Sequence, residues 1–486
     1  GGATVDWAGL HRPFPGPRVD LPTYPFQRRS FWIRRALEAT IPTSPGKDRF
    51  FEVVWRPLPS PPSQNLEGCW AVLGSNPAEV AETLRKAGAR VLYADSARLS
   101  GDWLHQHDLR GVVLLAGESA PGPVPPDSEP CRQALALIQA LARHPWPTQP
   151  PGLWLVTRGA CPLPGEAPDL AQAPLWGLGR STMLEHPELD CRLVDLEPGS
   201  SPATLLAELS ARDSENQVAW RGERRLAARL VRSEVAAYPA RLCPDATYLL
   251  TGGLGALGLA VARRFVERGA RHLVLVGRHA PSPSALETLV EMRNHGAEVR
   301  IMQTDVADAA QIEALFATVA DSMPALKGLV HAAGVLDDGV LSELTPERLE
   351  RVLAPKLQGA WNLHQNSLSL DLDFFVLFSS VAGVLGSAGQ GNYAAANSGL
   401  DALALLRRAQ GLPALSLDWG PWQAGMGAAL NATYRQRLIQ EGLGILEIEE
   451  GLAALEELLG AQGQRVVMPV DWEALRSRSQ GPISPL

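Results

Sequence analysis

The sequence is poor in several features that mark large classes of protein. Its 486 residues hold only five cysteines, Cys69, Cys131, Cys161, Cys191 and Cys243, each standing alone. No CxxC pair and no Cys/His cluster occurs, so no metal site is expected. An odd number of dispersed thiols argues against a disulfide framework and fits buried free thiols in a reducing cytoplasm. No run of about 18 apolar residues is present, so no membrane span is expected. Basic residues are not in excess. Forty-four Lys and Arg face 52 Asp and Glu, for a net charge of −8, and nothing suggests a nucleic-acid surface. Residues 1–10 lack the basic and apolar regions of a signal peptide and read as a cut point inside a longer polypeptide.

Apolar residues make up 45% of the chain, enough for sizeable cores, and the length favours more than one domain. Residues 1–46 are rich in Pro, Arg and aromatics, as in Tyr24-Pro-Phe-Gln-Arg-Arg-Ser-Phe-Trp32, and read as a segment that packs on something. Residues 48–235 alternate strand-like and helix-like stretches. Strands are expected at Phe50–Trp55, Cys69–Leu73, Val91–Tyr93, Gly111–Leu115, Leu153–Val156 and Cys191–Leu196. Helices are expected at Pro77–Ala87, Cys131–Arg143, Pro174–Glu185 and Pro202–Ser210. Residues 247–475 repeat the alternation more strongly. Strands are expected at Thr247–Leu250, His272–Val276, Glu298–Gln303, Gly328–His331, Phe374–Phe378 and Ala414–Leu417. The helices between them include Ala256–Arg268, Pro283–Asn294, Asp308–Ser322, Pro346–Leu370 and Asn392–Gln410. The fold class predicted is α/β: two tandem Rossmann-type units, each a parallel sheet with crossover helices.

Thr251-Gly252-Gly253-Leu254-Gly255-Ala256-Leu257-Gly258 joins the first strand of the second unit to its helix. Gly253, Gly255 and Gly258 form GxGxxG. The first two permit a tight turn and close backbone approach to phosphate, and the third lets helix and strand pack closely. A pyrophosphate would meet the free amides and positive dipole end of the helix. The next strand runs into Arg278, where NAD sites usually carry an acidic residue. A guanidinium can pair bidentately with a 2′-phosphate, which points to NADPH. Asp305 and Val306, after the third strand, fall where an adenine could sit. The first unit has Gly74-Ser-Asn-Pro77 at the equivalent turn and no glycine triplet, so it is expected to be structural and to bind no dinucleotide.

Tyr393 and Asn397 lie four residues apart on one predicted helix and so share a face. Ser380 follows the strand Phe374–Phe378, at the carboxyl edge where open α/β sheets bind ligands. Lys356 precedes that strand. Reducing a carbonyl requires a proton donor for the oxygen that gains charge as hydride arrives. A phenol releases its proton more readily when a cation stabilises the phenolate. Tyr393 therefore suits the general acid, Lys356 the cation, Ser380 a donor to the carbonyl oxygen, and Asn397 a holder of water or of the lysine.

These residues resemble the short-chain dehydrogenase/reductase superfamily, and within it the ketoreductase domain of modular type I polyketide synthases. The resemblance rests on Thr251–Gly258, His331-Ala332-Ala333-Gly334, Phe378-Ser-Ser-Val-Ala-Gly383, Asn392-Tyr-Ala-Ala-Ala-Asn397 and Leu417-Asp-Trp-Gly-Pro-Trp422. Ordinary short-chain reductases carry Lys four residues after the Tyr. Here Asn397 stands there and Lys356 takes the lysine's place, an exchange typical of the polyketide enzymes.

The resemblance implies a division of the chain. Residues 1–46 would be a linker following an acyltransferase domain, and 47–235 a truncated structural subdomain without cofactor. Residues 236–475 would be the catalytic NADPH-binding subdomain, with Ala332, Ala333 and Gly334 at the cofactor, and 476–486 a linker toward a carrier domain. It also implies stereochemistry. Leu336-Asp337-Asp338 matches B-type enzymes, which set a D-configured hydroxyl. Leu385 occupies the position of the A-type Trp, and Ala395 that of the Pro in the epimerising B subtype, which leaves B1 type. Trp422 to about Leu438, with Gly425, Met426, Gly427, Ala428 and Leu430, would form a lid. The partners implied are an acyl carrier protein bearing the substrate and a neighbouring acyltransferase domain. A non-reducing scaffold and a reductase of free small ketones are the alternatives.

Overall fold

The computed structural model describes residues 49–61, 65–93, 103–104, 106–117, 125–147, 149–211, 213–233, 240–423 and 442–471. The two expected linkers and most of the expected lid, Met426 included, lie outside the described residues. So do the lid's Gly425, Gly427, Ala428 and Leu430.

The strands are β1 (Phe50–Leu58), β2 (Cys69–Gly74), β3 (Arg90–Tyr93), β4 (Leu109–Leu115), β5 (Gly152–Arg158), β6 (Arg192–Leu196), β7 (Gln217–Arg221) and β8 (Arg224–Arg232). The second half adds β9 (Thr247–Thr251), β10 (His272–Gly277), β11 (Glu298–Gln303), β12 (Leu326–His331), β13 (Phe374–Ser380), β14 (Leu415–Trp419) and β15 (Gly463–Val467). All fifteen join one sheet in the order β11-β10-β9-β12-β13-β14-β15-β1-β8-β7-β6-β5-β4-β2-β3. From β11 to β15 every pairing is parallel. The first six of these strands take the dinucleotide-binding order 3-2-1-4-5-6, with the topological switch point between β9 and β12.

Parallel strands covered on both faces read as apolar runs. In β9, Tyr248 and Leu250 pack with Val261 and Phe265 on one side of the sheet. Leu249 faces the other way, toward Phe375, Leu400 and Leu403. Tyr248, Leu249 and Leu250 are at most 1% exposed, so both faces of this strand belong to the core.

The sequence alone suggests two units in tandem, each with its own sheet. The structure joins them edge to edge. β1 is not the first strand of a parallel unit: it pairs antiparallel with β15 on one side and with β8 on the other. The hairpin β7–β8, β15 and the helix Ile448–Leu458 were not among the expected elements. The expected helix Pro346–Leu370 is also corrected. It runs helical at Pro346–Leu353, opens into a π-helical turn at Ala354–Gln358, and closes again at Gly359–Asn366. Pro355 explains the break, since proline removes an N–H and its ring crowds the preceding carbonyl. The thiols are not all buried: Cys243 is exposed and Cys161 half-buried.

The helix Pro174–Glu185 of the first half packs on the helix Gly391–Ala409 of the second at backbone distance. A Cβ at Gly177 would lie 2.1 Å from the Ala394 carbonyl oxygen, and one at Gly386 would lie 2.6 Å from that of Arg180. The buried Arg180 guanidinium donates to the Gly383 carbonyl at 2.5 Å and to Gln217 Oε1 at 2.8 Å. The half without a glycine loop therefore buttresses the segments that carry Ser380 and Tyr393. Among the described residues no helix is long and apolar enough to cross a membrane.

Candidate active site

The glycine loop sits at the switch point. Gly252 has φ 67°, and a Cβ there would come within 2.6 Å of the Ala332 carbonyl oxygen. A Cβ at Gly258 would lie 2.2 Å from the Gly252 carbonyl oxygen. Only glycine satisfies both constraints. The helix Ala256–Glu267 begins at Gly255 with no side-chain cap, leaving its first-turn amides open to an anion. This cradle fits a pyrophosphate. Arg278 stands exposed one residue beyond β10, and no ion pair engages it among the described residues. After β11, Asp305 Oδ1 accepts from the Ala307 amide at 3.0 Å, and the Val306 carbonyl accepts from Asn362 at 2.9 Å. Ala332 and Ala333 follow β12, and Gly334 lies against the Lys356 stem.

The four polar residues singled out in the sequence converge. Lys356, in the π-helical turn, is 2% exposed. Its Nζ donates to Asn397 Oδ1 at 2.8 Å and to the Phe378 carbonyl at 2.9 Å, and lies 5.0 Å from the centroid of the Tyr393 ring. Asn397 in turn donates from Nδ2 to the Tyr393 carbonyl at 2.8 Å, one helical turn back. Ser380 ends β13 and caps the short helix Val381–Leu385 by accepting from Ala382 N at 3.2 Å. Its hydroxyl makes a long 3.5 Å bond to the Trp419 carbonyl and also interacts with the Tyr393 phenol, on the wall of the same cavity.

Burial pushes Lys356 down to about 7, while the buried Asp401 and Asp418 pull it back up. Ser416 donates to Asp401 at 2.6 Å and Gln464 to Asp418 at 2.8 Å. Burial raises both carboxyls above their usual range, and Asp401 pushes Asp418 higher still. Burial likewise raises the Tyr393 phenol, against the opposing pull of Asn397 and Ser380.

A link not anticipated from sequence joins the glycine loop to the lysine. His331 Nε2 lies 2.8 Å from the Lys356 carbonyl oxygen, and Nδ1 lies 2.7 Å from Thr251 Oγ1. The carbonyl can only accept, so Nε2 carries the proton and Thr251 donates to Nδ1. Burial holds this imidazole near 4, hence neutral.

The cavity beside these groups measures about 500 Å³ and is lined by Lys356, Ser380 and Tyr393 together with Leu336, Leu385 and Trp422. That volume suits a small organic ligand. Of the three residues Leu336-Asp337-Asp338, only Leu336 faces it. Asp337 pairs with Arg348 at 2.8 Å and Arg351 at 2.7 Å, and Asp338 accepts from Gln390 at 3.1 Å. Burial, and then the neighbouring Asp337 charge, raise the Asp338 carboxyl.

Comparison with known proteins gives this geometry its family. Residues 246–424 match the family described as "KR domain", and 53–230 match "Polyketide synthase extender module SpnB, Rossmann fold domain". The first ketoreductase of the tylosin polyketide synthase aligns with TM-score 0.76 and 34% identity, over 89% of this chain and 95% of that one. An A1-type ketoreductase aligns with TM-score 0.78 and 31% identity, over 90% and 97%. The chain belongs to the ketoreductases of modular polyketide synthases. It is therefore an oxidoreductase on a Rossmann fold.

Among curated relatives, the pikromycin polyketide synthase component PikAIII of Streptomyces venezuelae is 38% identical over 97% of the chain. Polyketide synthase GfsA of Streptomyces halstedii is 36% identical, also over 97%. The chain spans only 30% and 7% of their respective lengths. A C2-type ketoreductase aligns at TM-score 0.77, next to 0.78 for the A1 type. The overall fold is thus shared with ketoreductases of both types.

Proposed function

We propose that this ketoreductase uses NADPH to reduce the β-keto group of a polyketide chain held as a thioester on an acyl carrier protein. The product is a D-configured β-hydroxyl, formed without epimerising the α-carbon. One observation carries the reading: Tyr393, Ser380 and Lys356 line a single cavity, next to a glycine cradle suited to a pyrophosphate.

When bound, the dinucleotide supplies a hydride. Thr251 to Gly258 would receive its pyrophosphate, Arg278 its 2′-phosphate and Asp305 and Val306 its adenine, and Ala332, Ala333 and Gly334 would also help to hold it. Tyr393 gives its proton to the carbonyl oxygen, and Ser380 donates a hydrogen bond to the same atom. The Lys356 ammonium, oriented by Asn397, stabilises the phenolate left behind. Leu336 and Leu385 shape the side of the cleft that selects the substrate face, with Asp337 and Asp338 bracing that loop.

Residues 47–235 act as the structural subdomain and 236–475 as the catalytic one. Residues 1–46 and 476–486 are linkers, toward an acyltransferase and a carrier domain respectively. The large synthases among the relatives support these partners.

Chiral analysis of the product from a racemic 2-methyl-3-ketoacyl thioester tests activity, hydroxyl configuration and α-carbon selectivity together. A D-hydroxyl with one retained α-configuration is expected. A folded protein that binds NADPH but does not consume it would overturn the reductase reading. An L-hydroxyl would overturn the B-type assignment alone.

A further inference from the structure

One carboxylate from the half without a glycine loop ties together two loops of the cleft. Glu185 ends the helix Pro174–Glu185. Its Oε2 accepts from the Leu341 amide at 2.6 Å, and its Oε1 accepts from the Gly389 amide at 2.8 Å. Leu341 closes the loop that carries Leu336, Asp337 and Asp338. Gly389 lies in the loop between the Ser380 cap and the Tyr393 helix. The two loops also meet directly. The Gly339 amide donates to the Gly389 carbonyl at 2.7 Å, and Asn392 Nδ2 donates to the Asp337 carbonyl at 2.8 Å. Leu336 of the first loop and Gly386, Ser387 and Ala388 of the second line the cavity. Next to the clamp, Leu184 is 53% exposed and lines the same cavity.

An ionised carboxylate has two oxygens that only accept, so one side chain can hold two amides from separate loops with charge-assisted bonds. Glutamine retains one such oxygen and would turn an NH₂ toward the other amide. Aspartate keeps both oxygens but falls one methylene short. Losing either bond removes one charge-assisted anchor from its loop, leaving the first held by the ion pairs of Asp337 with Arg348 and Arg351 and the second by neutral hydrogen bonds.

We propose that Glu185 is a specificity-determining positioning residue. It fixes the spacing of the two loops that shape the acyl side of the cleft, and Leu184 supplies an apolar wall against the acyl chain. This rests on the reductase reading above. Glu185 acts through the loops, while Leu184 borders the substrate space itself.

Two measurements on the whole chain test the proposal. Amide hydrogen exchange at residues 337–343 and 386–390 reads the clamp without turnover. Reduction of racemic 2-methyl-3-ketopentanoyl N-acetylcysteamine thioester by NADPH reads its consequence. In Glu185→Ala, exchange in both loops accelerates together by roughly tenfold, the weight of one charge-assisted hydrogen bond. KM for the thioester rises and the product diastereomer ratio falls, while NADPH affinity stays unchanged. Leu184→Ala raises KM with loop exchange unaltered. If Glu185→Ala does not fold, the near-isosteric Glu185→Gln is measured in the same way.

Unchanged exchange in either loop overturns the clamp. Accelerated exchange with KM and diastereomer ratio unmoved overturns its role in specificity, as does a loss of turnover that merely follows a loss of NADPH binding. A parent protein that reduces no thioester removes the reductase reading, and the proposal with it. That outcome is distinct from failure of the clamp in an active parent.

Discussion

Lys356 and Asn397 form a buried pair in which the lysine Nζ donates to the amide oxygen at 2.8 Å. Because Asn397 spends its NH₂ on the Tyr393 carbonyl, its oxygen must face the lysine. Burial brings Lys356 down to about 7. A base with a lowered pKa is charged below that value and neutral above it, so the cation is lost as pH rises through the neutral range. The expected outcome is a kcat/KM that falls above about pH 7. Asn397→Asp would place a carboxylate against the ammonium, favour its charged form, and move that fall to higher pH by about one unit. A pH–rate profile of both proteins checks it, and an unmoved alkaline limb would detach Lys356 from the rate.

Among the described residues Tyr393 is the one phenol lining the cavity, and its ring lies 5.0 Å from the lysine nitrogen. Tyr393→Phe keeps the ring and removes the hydroxyl, and with it the transferable proton. Turnover is expected to fall by about 100- to 10,000-fold, the usual weight of a positioned general acid. NADPH affinity, measured by fluorescence titration, should change little. Full activity in this variant would remove Tyr393 from the mechanism.

What the sequence made legible was local. The glycine loop, the strand before it and the helix after it occupy one contiguous stretch, as do Tyr393 and Asn397. The lysine is different. It stands 41 residues from Asn397 along the chain, and no periodicity links them. The demands of the chemistry and the resemblance paired them, and the π-helical turn that aims Lys356 inward was hidden inside what reads as one long helix. Pro355 was the available signal.

Glu185 was not legible at all, because its partners are backbone amides 156 and 204 residues away that carry no side-chain signature. His331 lay within a quoted motif, but its bridge from Thr251 to Lys356 needs three-dimensional neighbours. The hairpin β7–β8 turns at Gly222, with φ 58°, among charged residues that mask the strand pattern. β1 was read as a strand correctly and as part of a parallel unit wrongly, since pairing partners are set by the whole sheet.

Arg278 offers a cofactor test independent of turnover. Its guanidinium is exposed beyond β10, and no ion pair among the described residues competes for it. Arg278→Ala is expected to weaken NADPH binding by roughly tenfold or more, the worth of hydrogen bonds to a charged group. NADH, lacking the 2′-phosphate, should lose little. Parallel titrations with the two nucleotides decide the matter, and an equal loss for both would mean that Arg278 does not read the phosphate.

Gly177 tests whether the half without a cofactor loop acts on the chemistry. In an ordinary helix interior, Gly→Ala stabilises by about 1 kcal/mol. Here the added Cβ would lie 2.1 Å from the Ala394 carbonyl oxygen and 2.7 Å from the Ala395 amide nitrogen. Those are backbone atoms of the residues immediately after Tyr393, so no side-chain rotation relieves the clash, and one helix must move away from the other. Overpacking of this kind costs about 1–3 kcal/mol. Gly177→Ala is therefore expected to lower the thermal midpoint, against its helix propensity. It should also reduce kcat by displacing the phenol from Ser380 and Lys356. NADPH affinity should be spared, because the glycine loop lies on β9, away from this contact. A raised midpoint with kcat unchanged would show that the two helices are free to separate, and that the buttress does not govern the position of Tyr393.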